Sequence, residues 1–152
     1  MTTSPSSIAA PSELYALGHI PPLGQVPATM HAHVIRKDRH GSPSVAMQQE
    51  VVPVPSFGPN EVLVYVMASG VNYNGVWAAM GKPLSPIDVH KEAYHIAGSD
   101  ASGIVWAVGS GVKSWKVGDE VVVHCNQSCG ECHHCNGGNP MLCRTQQIWG
   151  YE

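Results

Sequence analysis

From Met1 to His124 there is no cysteine, and all five cysteines of the 152 residues fall between Cys125 and Cys143. Thiols without counterparts elsewhere in the chain cannot cross-link distant strands, so a disulfide scaffold is excluded. Charge is scarce as well. Only 12% of the residues are Asp, Glu, Lys or Arg, which excludes coiled coils and chains too charged to fold. Eight basic against eleven acidic residues leave a formal charge of -3, and no stretch is denser in base than Arg36, Lys37 and Arg39. The electrostatic footprint of a nucleic-acid binder is therefore missing. No apolar run approaches the length of a membrane span, and the start MTTSPSSIAAPSE has neither the basic nor the apolar region of a secretory signal. A cytoplasmic protein that engages neither membrane nor nucleic acid is expected.

What is present is 43% hydrophobic residues with 16 Gly and 12 Pro, the composition of a turn-rich globular domain. Residues 1–27 read as a mobile arm with roughly two helical turns around Leu14, Tyr15 and Leu17, bounded by Pro11 and Gly18. From Met30 the periodicity is two, predicting strands over His31 to Arg36, Val45 to Val54, Glu61 to Ala68, Gly103 to Val108 and Glu120 to His124. Val62 to Met67 is apolar at nearly every position and reads as buried on both faces, whereas Val45 to Val52 interleaves Gln and Glu and should keep one wet side. Turns such as Ser56-Phe57-Gly58-Pro59-Asn60 and Lys116-Val117-Gly118-Asp119 close these strands into a mostly β fold with short helices, an irregular β-barrel. One helix is predicted over Asn72 to Met80, with Asn72 or Asn74 as its N-cap and Gly81 as its stop.

Cys129, Cys132, Cys135 and Cys143 follow the spacing C-x2-C-x2-C-x7-C. Four soft ligands returning over a Gly-Gly-Asn-Pro turn suit a tetrahedral Zn2+ and leave no open position for water. The expected role is to hold together a lobe too small to fold alone, with no chemistry of its own. An iron–sulfur centre fits less well, because a ferredoxin run places its fourth Cys after three residues and before Pro, whereas here seven intervene and Arg144 follows. His133 and His134 read as solvent-facing imidazoles, and Cys125 as a core residue at a strand end.

The order Gly98-Ser99-Asp100-Ala101-Ser102-Gly103-Ile104-Val105, Val108-Gly109, Val117-Gly118-Asp119-Glu120-Val121 and then the four-Cys lobe resembles the GroES-like catalytic domain of the medium-chain dehydrogenase/reductase superfamily. Zinc alcohol dehydrogenases of that superfamily carry a catalytic Cys after the third strand and a Gly-His-Glu later. Here those places read Gly70-Val71-Asn72-Tyr73-Asn74 and Gly98-Ser99-Asp100, so the resemblance implies a zinc-independent reductase in which a nicotinamide hydride attacks an activated C=C bond. Ala68 to Trp77, Tyr94 to Asp100, Gly81 to His90, the segment Leu14-Tyr15-Ala16-Leu17-Gly18 and Ile148-Trp149-Gly150-Tyr151-Glu152 look like the crotonyl-CoA carboxylase/reductase family.

The resemblance implies NADPH-dependent reduction of an enoyl-CoA and capture of CO2 to give an alkylmalonyl-CoA. It also implies a homo-oligomer when complete. By it, Asn74 would present its amide to CO2, Tyr151 would form part of the pocket wall and Glu152 would help hold a water; a His that completes the set would come from elsewhere in the enzyme. On residue types alone, Asn74 equally reads as a helix cap and Glu152 as a solvated chain end. A non-carboxylating enoyl-CoA reductase of the acryloyl-CoA type is the alternative within enzymes, and a zinc-held binding module is the alternative outside them. The module would need an exposed apolar or basic face around the lobe, which the sequence does not announce. No dinucleotide-binding turn is found: Gly109-Ser110-Gly111 carries Ser114 where the third Gly would fall and reads as a surface turn. The expected plan is an arm over 1–27 and an incomplete GroES-like domain over 28–152, with the zinc lobe at 125–145. NADPH binding is expected to need further sequence.

Overall fold

The computed structural model describes residues 12–151. In chain order the strands are β1 (Thr29–Ile35), β2 (Gln48–Pro53), β3 (Val62–Ala68), β4 (His95–Ile96), β5 (Ala101–Val108), β6 (Glu120–Val123), β7 (Asn126–Gln127) and β8 (Gln147–Ile148). The α-helices are α1 (Pro43–Ala46), α2 (Tyr73–Met80), α3 (Pro86–His90) and α4 (His133–Asn136). Two three-stranded sheets, ordered β2-β1-β4 and β3-β5-β6, carry the domain, and β7 and β8 form a separate ribbon. Every strand pairing among the described residues is antiparallel. The mostly β expectation is met.

The registers follow from side-chain alternation. Along β5, Ala101, Gly103 and Val105 face inward, and Gly103 lies opposite both Val66 and Val121. A Cβ at Gly103 would run into the Tyr65 carbonyl, so only glycine lets β3 and β5 close there. Helix α2 ends as its sequence dictates. Asn72 accepts the Asn74 N–H through its side chain at 2.9 Å, and Gly81 takes the left-handed conformation at φ 63° and donates its N–H to the Ala78 carbonyl. Ala78 and Ala79 of α2 meet Ile35, Ala46 and Ile87 in one core cluster, which binds α1, α2 and α3 to the end of β1.

Several expectations need correction. The arm forms no helix over residues 12–28. Pro21, Pro22 and Pro27 remove backbone donors, and the segment is instead tied down by Thr29 N–H to the Glu13 carbonyl and by the Trp106 indole N–H to the Gln25 carbonyl. Its residues 1–11 lie outside the described residues. Val45 and Ala46 are not strand: Pro43 starts α1 with its fixed φ, and β2 begins only at Gln48. Strand β3 is not buried on both faces. It is the edge of its sheet, and Val66 and Met67 are 49% and 52% exposed. Three further helices accompany α2, each of five residues or fewer, which is too short for periodicity to announce.

The β1–β2 ladder is closed by charge. Glu50 receives Arg36 Nη2 at 2.6 Å on one oxygen and Arg39 Nη2 at 2.6 Å on the other, while Arg39 also donates to the Val34 carbonyl at 3.1 Å. The hydrogen bonds from Arg36 and then Arg39 hold the Glu50 carboxyl down at about 2. A carboxyl depressed on folding contributes stability above its unfolded value, and that contribution fades as pH falls through the folded one. Glu50→Gln should therefore melt below the native protein at pH 7, and the gap should narrow as pH falls from about 4.5 toward about 2. Thermal melts across that range check it; a gap independent of pH would show that shape, not charge, is lost.

Candidate functional site

Two places in the fold gather chemistry. The first is the lobe between β7 and β8. The Sγ atoms of Cys129, Cys132, Cys135 and Cys143 all lie within 4.8 Å of one another, with 3.6 Å between Cys129 and Cys143, 3.5 Å between Cys132 and Cys135 and 3.9 Å between Cys129 and Cys135. Four sulfurs around a tetrahedral Zn2+ at bond lengths of about 2.3 Å stand roughly 3.8 Å apart, so the thiols fit a metal of that kind. Backbone amides already favour the thiolate form at two of them. The Cys129 N–H toward Cys143 Sγ, with help from the Thr145 hydroxyl, brings the Cys143 thiol down to about 6. Amides of Glu131 and Cys132 lower Cys129 in the same way, whereas burial raises Cys135 to about 11.

Neither His133 nor His134 joins the group. Cys125, expected in the core, is exposed; its carbonyl accepts the Trp149 N–H at 2.8 Å, so its backbone serves the fold. The lobe also exposes Met141 and Leu142, and Trp149, just after β8, is exposed as well, apolar surface that the sequence did not announce.

The second place is a cleft between α2 and the segment leading into β5, lined by Asn74, Ala78, His95, Gly98, Ser99 and Gly150 among others. Asn74 and Ala78 stand one turn apart on the same face of α2. The N-cap is Asn72, which leaves Asn74 inside the helix. From the other side the chain returns out of the ribbon through Gly150, whose φ of 87° turns it onto the Gly98–Ser99 backbone. Tyr151 then donates its hydroxyl to the Asn74 carbonyl at 3.5 Å. Burial raises the Tyr151 phenol above its ordinary value, so at neutral pH it keeps the proton it donates. Two of the three expected carboxylation residues, Asn74 and Tyr151, thus come together; Glu152 lies outside the described residues.

Where zinc alcohol dehydrogenases would place catalytic ligands, Asn72 Nδ2 donates to Asp100 Oδ2 and Ser69 Oγ donates to the Asp100 carbonyl at 2.8 Å. Among the described residues the four cysteines are the one group of His, Cys, Asp or Glu placed to share a metal. His95 was not singled out from sequence. It is 6% exposed and lines the cleft, and burial, with His90 adding to it, brings its imidazole down to about 4. In the motif Tyr94-His95-Ile96 it looks like any inward residue of a short strand, which is why no sequence signal marked it.

Residues 58–151 match the alcohol dehydrogenase GroES-like domain. The chain is 64% identical over 144 residues to a crotonyl-CoA carboxylase/reductase of Cereibacter sphaeroides, an alignment that takes in 95% of this chain and 34% of that one. A solved crotonyl-CoA carboxylase/reductase superimposes with a TM-score of 0.88 at 66% identity, covering 95% of this chain and 34% of the other. A second, solved in complex with NADP, gives a TM-score of 0.83 at 50% identity, covering 93% and 36%. The chain thus spans about a third of the length of these relatives. No helix among the described residues is long and apolar enough to cross a membrane.

The closing of the cleft depends on Gly150. A Cβ there would stand 2.5 Å from the Gly98 carbonyl oxygen and 3.1 Å from the Ser99 Cα, at a φ that L residues rarely adopt. Gly150→Ala should cost about 1–3 kcal/mol, read from urea unfolding. The Tyr151 fluorescence environment should change with it; an unaltered midpoint would show that the return segment is not packed against Gly98.

Proposed function

The chain belongs to the alcohol dehydrogenase GroES-like domain family, and from that premise we propose that it is the N-terminal catalytic part of an NADPH-dependent enoyl-CoA carboxylase/reductase acting on crotonyl-CoA or a close analogue. In this plan residues 1–27 form an arm, residues 28–152 belong to the catalytic domain and residues 125–145 are its zinc lobe. The observation that carries the reading is the meeting of Asn74 with Tyr151 across the cleft, in a chain 64% identical to a carboxylase/reductase. NADPH, when bound, supplies a hydride to the enoyl thioester.

CO2 carries no net charge, and only donors placed in advance can hold it over the enolate left by reduction. Asn74 offers such a donor. Its carbonyl is engaged by Tyr151, which fixes the start of α2 and leaves the side-chain amide free of that bond. Tyr151 walls the cleft, and Glu152 anchors a water, since an ionised carboxylate cannot itself donate to CO2. In the lobe, Cys129, Cys132, Cys135 and Cys143 hold one structural Zn2+; the exposed Met141 and Leu142 would be covered by the remainder of the enzyme.

Protein purified without added metal should contain one zinc per chain by elemental analysis. Cys132→Ser should lose it and unfold earlier, while His133→Ala should keep both metal and stability, because only the former removes a ligand. An iron-containing or metal-free sample would overturn the zinc assignment. In the full enzyme, Asn74→Leu preserves volume but removes the donor and should weaken CO2 placement by about 1–3 kcal/mol, roughly five- to a hundredfold in capture, with reduction affected less. The assay counts ethylmalonyl-CoA against butyryl-CoA from crotonyl-CoA and NADPH at fixed bicarbonate. Butyryl-CoA alone from the native enzyme would make it a non-carboxylating reductase.

A further inference from the structure

One buried polar atom of the cleft is left without a hydrogen-bond partner among the described residues. His95 Nε2 is buried and makes no hydrogen bond among the described residues, although it sits among Asn74, Ser99 and Gly150. Buried ring nitrogens are ordinarily paired, so an atom of this kind at a cleft points to a ligand.

Its proton can be assigned from its neighbours. The Glu92 backbone N–H, which can only donate, gives its hydrogen to His90 Nδ1 at 3.0 Å. That nitrogen is therefore an acceptor, and neutral His90 carries its proton on Nε2. His90 Nε2 faces His95 Nδ1 at 3.3 Å, so His90 donates and His95 Nδ1 accepts. The remaining His95 nitrogen, Nε2, then holds the hydrogen. A main-chain amide thus sets the tautomer of a surface-side histidine, which sets that of the buried one. His95 stays uncharged at neutral pH because burial, and then His90, disfavours its cation.

Building on the carboxylation reading, we propose that His95 is a second hydrogen-bond donor of the Asn74 cleft, fixed as the Nε2–H tautomer by the Glu92–His90 relay, and that it holds an uncharged oxygen acceptor there, either CO2 or a water that orients it. A neutral imidazole suits this role. It directs one hydrogen at the acceptor without placing a cation beside the carbon that must react with an enolate, and without supplying an easily transferred proton that would quench the enolate to the reduced product. Gly150 packs onto the Gly98–Ser99 backbone and narrows the cleft beside His95.

Two measurements on the full enzyme test this. Selective 15N-histidine labelling reads the tautomer directly: His95 should show a protonated Nε2 and an unprotonated Nδ1 at neutral pH. The opposite tautomer or a cation would overturn the proposal, and this readout needs no variant to fold. Product partitioning reads the function. His95→Phe keeps the ring and removes the donor, and should lower the ethylmalonyl-CoA to butyryl-CoA ratio roughly five- to tenfold at limiting bicarbonate. His95→Gln, which places an amide donor near the same point, should recover most of the loss at equal melting temperature. Recovery of His95→Phe by saturating bicarbonate would identify CO2 as the acceptor, and a loss that saturation does not repair would identify the water. A ratio unchanged in His95→Phe would leave His95 a packing residue and defeat the proposal. A native enzyme that yields only butyryl-CoA would defeat the carboxylation reading instead, while the nitrogen spectrum would still decide the donor.

Discussion

The seating of α2 on β1 is the contact on which both the fold and the cleft depend. Ala78 and Ala79, 2% and 0% exposed, lie against Ile35, Ala46 and Ile87. Two adjacent alanines let the helix axis come close to the sheet, where larger side chains would hold it away. Because Asn74 is one turn before Ala78 on the same face, the depth at which the alanines pack also sets how far Asn74 projects into the cleft. Ile35 pairs with His95 on β4, so one end of β1 locates both walls of the site. The asparagine cap and the left-handed glycine at the two ends of α2 limit its length to eight residues, which leaves little room for it to slide.

Much of this was legible from sequence because the signals were local. The caps of α2, the alternation of β5 and the spacing of the four cysteines depend on residues a few positions apart. What was not legible depends on coverage. Val62 to Met67 has the composition of a central strand, but whether a strand has neighbours on both edges and cover on both faces is decided by topology, and β3 turned out to be an edge. The arm around Leu14 and Tyr15 has apolar residues enough for a short helix, yet the Glu13 carbonyl is taken by Thr29 and the Gln25 carbonyl by Trp106, far along the chain. In such segments long-range pairing overrides propensity.

His95 shows the same division within the site. Its position in Tyr94-His95-Ile96 says only that it faces inward. The role proposed for it depends on which nitrogen is protonated, and that is set by His90 and by the Glu92 amide, which approach it where α3 ends at His90 with Lys91 in a left-handed turn at φ 64°. A composition-level reading has no access to a tautomer. Asn74, by contrast, was found by motif, and the structure adds the Tyr151 contact that ties it to the far end of the chain.

That contact connects the cysteine lobe to the cleft. The chain leaves β7 at Gln127, makes the lobe and returns in β8 with Gln127 opposite Gln147 and Asn126 opposite Ile148. Only two residues pair on each strand, too few to hold such an excursion in register unaided. The close set of thiols closes the loop just where it would otherwise splay, since Cys129 follows β7 by two residues and Cys143 precedes β8 by four. With the ribbon held, the Trp149 N–H reaches the Cys125 carbonyl and the Tyr151 N–H reaches the Ile148 carbonyl, and the turn at Gly150 delivers Tyr151 to Asn74. A metal bound by these cysteines would therefore act on the cleft without touching it, by fixing the register of the segment that closes it.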